Sequence, residues 1–370
     1  MTSNRFVAIQ KELLQRCETL RHNCACHSHK NIWYAYSCNI ACKGTIHTEM
    51  EHLMKLTFLG TSAGKPTRER NVSALALEIE QDNKWYLFDC GEATQHQILH
   101  SRLSAGKLDT IFITHLHGDH YFGLPGLLST KKLDESAKPL NLYGPKGIRK
   151  FLECVIKDLS QAYLGYKLTI TEFESGDTFI FDRFTLKVLP LVHSIESFAF
   201  YIKENDICDR LDEKKLREAG LEPSPLYGEL KKGRSVVFQG KKLEPADFML
   251  EPVIGRSLII AGDNSKPDIL GSYMQNIDLL IHECTYTQDT YDNLAKKVLH
   301  TTAKELAEAA QKRHVKNLIA THINPRYRDT GSMGIEDIRS EIERGYKGLF
   351  FIADDFDVYY LSRDGVVEKL

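Results

Sequence analysis

An α/β fold built of two strand-rich halves is predicted for this 370-residue chain by three observations. From residue 54 onward, short apolar segments of strand length recur, bounded by Gly, Pro, Asn and Asp. Helical periodicities lie between these segments and near the end of the chain, the pattern that layers helices on mixed sheets. The composition, 42% apolar and 26% charged with 24 Gly and 11 Pro, supports a substantial core and excludes disordered, collagenous and low-complexity classes. At about 150 residues per domain the length suggests two domains, although α/β sandwiches exceed 200 residues as one.

The elements follow in order. Residues 1–53 contain one weakly helical stretch, Phe6–Leu20, and then a polar, Cys/His-rich stretch without a period. They are read as an N-terminal extension of unknown role, with Met54 a natural start for the regular part. Lys55–Gly60 is a short strand ending in a Gly/Ser/Pro turn. Val72–Ile79 and Trp85–Phe88 form the next two, joined through Asp82-Asn83. Thr110–Thr114 is an apolar strand running straight into His115, and Asn141–Tyr143 is another. Gly144-Pro145-Lys146-Gly147 opens a helix over Ile148–Leu159, on which Lys146, Arg149 and Lys150 read as a solvated face. Strands recur at Leu168–Phe173, Phe184–Leu191 and Phe198–Ile202. Residues 203–248 break the pattern: they are charged, contain Pro223 and Pro225, and carry no sustained apolar period. Arg256–Ala261, Asp278–His282 and Leu318–Thr321 are strands that end in polar residues. Helices are expected at Ala303–His314 and Ile335–Arg344, with Phe350–Ile352 and Asp357–Leu361 closing the chain.

No apolar run approaches the roughly 18 residues a membrane helix needs, so no membrane association is expected. Nine cysteines, an odd number in a large chain without a secretory apolar region, read as reduced thiols in a cytoplasmic protein. Cys24-Ala25-Cys26-His27-Ser28-His29 matches no common zinc module. With 48 Lys and Arg against 50 Asp and Glu the net charge is −2, so a polyanionic partner must be met by a local basic patch.

The strongest chemical signal is His115-Leu116-His117-Gly118-Asp119-His120. Three imidazoles and a carboxylate within six residues are costly to bury unless something binds them, and these donors suit zinc or a similar divalent ion. His115 and His117, two apart, can point one way, while Asp119 and His120 face the other, so one loop can feed two metals. Further donors sit where strands end: His193 after Leu186–Val192, Asp263 after Ser257–Ile260, and His322 after Leu318–Thr321.

These motifs resemble those of the metallo-β-lactamase superfamily of dinuclear hydrolases, and within it short-form ribonuclease Z, over about residues 54–370. Pro66-Thr67-Arg68-Glu69-Arg70-Asn71 fits that family's Pro-x-(Lys/Arg)-x-Arg-Asn loop. His282-Glu283-Cys284-Thr285 resembles its His-Glu-Ala-Thr motif, with Cys284 where Ala is usual, and His300-Thr301-Thr302 resembles its His-Ser/Thr-Thr motif. His322–Tyr327 resembles the segment carrying the last His ligand and a phosphate-contacting Arg, here Arg326. Gly220–Gly233 resembles the tip of a protruding tRNA-binding arm, with Ser224 where Gly is common.

The resemblance implies an αββα sandwich of two mixed sheets flanked by helices, with an arm inserted at about 203–248. It implies two Zn²⁺ per subunit, with Mn²⁺, Co²⁺ or Mg²⁺ as substitutes. His115, His117 and His193 would hold one ion, Asp119, His120 and His322 the second, and Asp263 would bridge them. Asp119 would also orient or deprotonate water, and His300, oriented by Glu283, would protonate the leaving oxygen. Arg68, Arg70 and Asn71 would handle the RNA 3′ end. The implied activity is endonucleolytic removal of the 3′ trailer from precursor tRNA near the discriminator nucleotide, by a homodimer in which one subunit's arm serves the other's active site.

The arm accounts for RNA binding by a weakly acidic chain. In residues 228–242, Lys231, Lys232, Arg234, Lys241 and Lys242 face one acid, Glu229. The wider span 203–242 holds ten basic and eight acidic residues, so positive charge is concentrated beyond the Gly/Pro tip. Two other readings compete: a small-molecule phosphodiesterase, arylsulfatase-like or thioester hydrolase of the same superfamily, and a catalytically silent RNA-binding scaffold.

Overall fold

The computed structural model of the chain describes residues 54–79, 82–133, 137–161, 163–328 and 333–370. The helix expected at Phe6–Leu20, the Cys24–His29 cluster and the extension assigned to residues 1–53 lie outside them.

The first half of the described chain builds one sheet. β1 (Met54–Gly60), β2 (Ala74–Ile79) and β3 (Trp85–Phe88) pair antiparallel, and β4 (Leu108–Phe112), β5 (Leu140–Pro145) and β6 (Leu168–Phe173) continue it in parallel. Parallel neighbours need crossovers. These carry α1 (Thr94–Leu99), α2 (Gly118–Tyr121), α3 (Leu124–Leu133) and α4 (Ile148–Leu152). The second half builds another sheet from β7 (Thr178–Ile180), β8 (Phe184–Pro190) and β9 (Phe198–Glu204). The chain then leaves for the arm, which holds α5 (Glu213–Glu218), α6 (Pro225–Lys231), β10 (Val236–Phe238) and β11 (Lys241–Leu243). It returns through β12 (Ser257–Ala261), β13 (Leu279–Glu283), α7 (Gln288–Asp292), α8 (Ala303–Lys312), β14 (Asn317–Thr321), α9 (Ile335–Gly345) and β15 (Leu349–Ile352). The last strands, β16 (Val358–Leu361) and β17 (Val367–Lys369), go back to the first sheet and pair beside β1. The orders are β17-β16-β1-β2-β3-β4-β5-β6 and β15-β14-β13-β12-β9-β8-β7.

Strand alternation sorts the apolar residues into layers. Phe58, Tyr86, Phe88 and Phe112 of the first sheet meet Phe184, Phe200, Leu258 and Ile281 of the second in one core between the sheets. Trp85, Leu87 and Ile111 point the other way, onto Leu124, Leu127, Leu128, Ile148 and Leu152 of the first sheet's helices. Ile259, Leu280 and Leu318 likewise back onto Leu306, Ala310, Ile338 and Ile342. Helix, sheet, sheet and helix layers follow, the αββα sandwich that was expected. Among the described residues no helix is long and apolar enough to cross a membrane.

Two local expectations are revised. α3 falls where no helix was read, because Pro125 and Gly126 look like breakers; Pro fits a helix's first turn, where its missing N–H costs nothing, and Leu124, Leu127 and Leu128 bury one face. The helix expected over Ile148–Leu159 exists, but Glu153–Leu159 winds as a π-helix. Residues 203–248, read as an arm without a sustained apolar period, do bury apolar residues. Leu211, Leu216, Leu221, Tyr227, Leu230, Val236, Leu243 and Phe248 form a separate small core inside the arm. The Leu211–Met249 and Ile207–Val253 bridges close its stalk. Ser224 has φ −155°, extended backbone open to any residue, so serine replaces glycine there without strain.

Candidate active site

Strand directions assemble the site. β8, β12, β13 and β14 run the same way, so their C-terminal ends share one edge of the second sheet. His193, Asp263, Glu283 and His322 lie at or just beyond those ends. β4 delivers the 115–120 loop to the same edge, where His115 bridges to Ser197. Gly262 permits the approach: a Cβ there would lie 2.6 Å from Thr114 Cβ. Two site residues, Asp89 (φ 58°) and His322 (φ 56°), adopt left-handed backbone without being glycine, strain of the kind that collects at functional positions.

All seven expected metal ligands converge. Asp263 sits between two groups of imidazoles: its Oδ2 is 3.7 Å from His115 Nε2 and 3.6 Å from His193 Nε2, and its Oδ1 is 3.3 Å from both His120 Nε2 and His322 Nε2. His117 Nδ1 is 3.0 Å from His193 Nε2, and Asp119 Oδ2 is 3.5 Å from His120 Nε2 and 3.4 Å from His322 Nε2. The donor atoms of His115, His117, His193 and Asp263, and those of Asp119, His120 and His322, form two sets, each within 4.8 Å. His115 Nε2 is fully buried with no hydrogen-bond partner, an orphan that a cation would satisfy. The nitrogen and oxygen donors fit divalent zinc or a similar ion.

Outward-facing atoms of the ligands are also held. His120 Nδ1 lies 2.7 Å from Asp89 Oδ2, and Asp89 also accepts the backbone N–H and hydroxyl of Thr114. His115 Nδ1 contacts Thr114 Oγ1, His193 Nδ1 donates to the Leu299 carbonyl, and His322 Nδ1 lies 3.2 Å from Thr285 Oγ1. Such partners fix ring orientation and tautomer. Asp119 accepts the Gly64 N–H at 2.8 Å.

Electrostatics agree with a cation site. Burial, then the charges of His120, His193 and His117, push the His115 imidazole well below its ordinary value, so it stays neutral and free to ligate. Burial alone would raise Asp263, but His322, His120 and His115 hold its carboxyl well below the usual range. Burial is likewise overcome at Asp119 by His120 and His322.

Beside this cluster, His300 Nδ1 lies 3.0 and 3.1 Å from the two oxygens of Glu283. Burial disfavours the imidazolium, yet the Glu283 charge and hydrogen bond raise His300 to about 9, so it holds a proton at neutral pH. Glu283 is anchored in turn by the Asn264 N–H at 2.7 Å and the Thr285 hydroxyl. His282 is a buried support: its Nδ1 donates to the Glu283 carbonyl, and its Nε2 accepts from Asn264, whose Oδ1 takes the Val192 N–H next to His193. Cys284 packs wholly inside the apolar layer against α8.

The expected RNA-handling residues divide. Arg68 is exposed, and Arg326 is exposed above the Tyr286 ring, on a cleft shared with Gly64, Lys65 and Arg328. Asn71 donates its side-chain amide to the Glu92 carbonyl. Arg70 turns inward: it donates to Thr61 Oγ1 at 2.7 Å and the Ala353 carbonyl at 2.5 Å, and pairs with Asp354. Its guanidinium is spent on the loop's own anchorage. In the arm, Glu229 pairs with Lys232 at 3.0 Å and Arg234 at 2.9 Å, while Lys231 is exposed. Two residues escaped the sequence reading. Asp89 repeats the signal that exposed the others, a polar residue directly after a strand, whereas Thr285 carries no signal beyond its motif.

Comparison with known proteins agrees with this geometry. The family described as "Anti-Pycsar protein Apyc1" matches residues 54–215. A ribonuclease Z from Marinobacter nauticus is 39% identical over 321 residues, 86% of this chain and 99% of the relative. Among solved structures, human short-form tRNase Z is similar at 30% identity with a TM-score of 0.58, covering 82% of this chain and 98% of that one. A Bacillus subtilis protein described as having the metallo-beta-lactamase fold, 19% identical with a TM-score of 0.58 over 83% of this chain and 99% of its own, shares the fold. Its sequence similarity across nearly the whole length of such relatives, on this sandwich, places the chain in the ribonuclease Z family.

Proposed function

We propose that this protein is a divalent-metal-dependent endoribonuclease that removes the 3′ trailer from precursor tRNA, cutting near the discriminator nucleotide and leaving a 3′-hydroxyl on the tRNA. The observation that carries the reading is Asp263 set between two groups of imidazoles, one on each carboxylate oxygen. His115, His117 and His193 would hold one ion and Asp119, His120 and His322 the other, with Asp263 shared. Two divalent ions, zinc in the first instance and manganese, cobalt or magnesium as substitutes, would activate water near neutral pH and offset charge on the scissile phosphate.

The chain's own groups do the rest. Asp119, steadied by the Gly64 N–H, orients the attacking water and accepts its proton. His300, kept protonated by Glu283, delivers a proton to the departing ribose 3′-oxygen, so the tRNA product ends in a hydroxyl. Arg68 and Arg326 contact RNA phosphates, and the arm's Lys231, Lys232 and Arg234 grip the body of the tRNA, whose A-form stem is read by shape and backbone. We further assign the chain to a homodimer in which the arm of one copy serves the other's site, and to the cytoplasm, where its free cysteines Cys90, Cys154, Cys208 and Cys284 stay reduced.

The test is incubation of the metal-loaded protein with labelled precursor tRNA, with and without chelator, and mapping of the product ends. One product ending at or beside the discriminator nucleotide, lost with chelator, is expected. An untouched precursor alongside turnover of a small phosphodiester or thioester would overturn the assignment.

A further inference from the structure

The 61–71 loop is tied down at its neck by a carboxylate that no motif announces. Asp355, in the turn between β15 and β16, accepts the Thr61 hydroxyl on Oδ1 (2.7 Å) and the Asn71 backbone N–H on Oδ2 (2.6 Å). One side chain therefore holds both ends of the loop. Gln97 of α1 adds a third donor to Asp355, at 2.9 Å, while also bonding the Leu59 carbonyl. Arg70 completes the knot through Thr61, Ala353 and Asp354. The leading segment is pinned separately: Ala63 N–H donates to the Ile323 carbonyl, beside His322, and Gly64 N–H reaches Asp119.

This arrangement is demanding. Asp355 is half-buried, and desolvation raises its carboxyl to about 6 despite the bonds from Asn71 and Thr61 and the nearby Arg70, so at neutral pH it is mostly the charged form that holds the loop. Three donors converge on one carboxylate, two on Oδ2 and one on Oδ1; an amide of the same shape can meet them only with its oxygen toward Asn71 and Gln97 and its NH₂ toward the Thr61 oxygen, which already accepts from Arg70 and would have to turn its own proton elsewhere.

We propose that Asp355 is a positioning residue: it sets the outer limb of the 61–71 loop, with Arg68 on it, and thereby fixes the nucleotide at which the chain cuts. The inference rests on the endonuclease reading above. Residues 63 and 64, the part of the loop beside the metal-ligand cluster, keep their own anchors on Ile323 and Asp119 when the clasp is lost.

The experiment compares metal-loaded wild type with Asp355→Asn and with Thr61→Val, which removes the bridging hydroxyl at constant shape. Three readouts are taken: kcat and product ends on precursor tRNA, tRNA affinity, and turnover of a chromogenic phosphodiester. Asp355→Asn should lower kcat on precursor tRNA on the order of tenfold and spread the product ends over neighbouring nucleotides. Its tRNA affinity should stay within twofold and its diester turnover within threefold of wild type. Thr61→Val, which leaves the carboxylate in place, should spread the ends in the same sense with a kcat loss of about threefold. A single product end at the wild-type position in both variants, with kcat within twofold, overturns the proposal. So does an equal loss on the small diester, which marks a general lesion of the site. If wild type leaves the precursor uncut, the endonuclease reading falls and takes this inference with it, whereas precise wild-type cutting with unaltered variants removes the clasp alone.

Discussion

At the edge between the two sheets, four of the five imidazoles in the cluster have an outside partner fixing them: Asp89 for His120, Thr114 for His115, the Leu299 carbonyl for His193, Thr285 for His322. In the arm the charged groups sit on a small core of their own, exposed, and Lys232 and Arg234 lean on one shared acid, Glu229. The contrast teaches how the two tasks differ physically. Bond cleavage needs atoms placed to a fraction of an ångström, so its residues are buried and over-determined. Gripping a polyanion needs a local excess of charge on a surface, for which loosely held cations suffice.

The largest effect should separate the two regions most cleanly. His117→Ala or Asp263→Ala should reduce cleavage of precursor tRNA by on the order of 10³-fold or more, since each dismantles the ion-holding set. Affinity for tRNA should stay within threefold, measured by a binding assay under non-cleaving conditions. Loss of binding in step with cleavage would mean that the two regions do not divide the labour.

The converse change acts on the arm. The Asp212 N–H donates to the Phe248 carbonyl at 2.7 Å, so residues 212–248 can be replaced by a short Gly-Ser turn without stretching the stalk. Processing of precursor tRNA should fall on the order of 10²-fold, through KM, while a small phosphodiester is hydrolysed within twofold of wild type. Intact tRNA processing would remove the arm from the account.

Next in size is the proton donor. Glu283→Gln should lower kcat on precursor tRNA by about 10²-fold. The pH profile carries the sign: the acid form of His300 exists below its pKa, so activity falls as pH rises through that value. Removing the Glu283 charge, which raises the pKa, must bring the fall to lower pH. An alkaline limb that stays in place would assign the donor elsewhere.

The smallest effect tests the arm's charge. Glu229→Gln frees Lys232 and Arg234 and should tighten tRNA binding by about threefold, with a steeper loss of affinity as salt is raised. Unchanged salt dependence would show that these cations do not meet phosphate.

Much of the sandwich, and the seven side chains that the fold brings together, were legible because both follow one rule: apolar strands run through the core and polar residues appear where they surface. His193, Asp263 and His322 could be picked out for that reason, and Asp89 obeys the same rule. What escaped has no such local mark. Arg70 sits in a motif that names it as a substrate contact, and only the fold, by bringing Ala353 and Asp354 beside it, shows its guanidinium to be occupied. The arm's core is built of single apolar residues spaced irregularly between charges, so it has no period to detect. α3 hides behind Pro125 and Gly126, and β7, three residues long and mostly exposed, buries too little to leave a pattern.

The central claim is that seven side chains drawn from four places in the chain hold two cations around Asp263. Its most direct test is titration of metal-stripped protein with Zn²⁺ followed by calorimetry and elemental analysis. Two ions bound per chain in the wild type, and fewer than two in Asp263→Ala, are expected. A wild-type protein that cuts precursor tRNA at full rate with one ion or none, or an Asp263→Ala variant that still binds two, would contradict it.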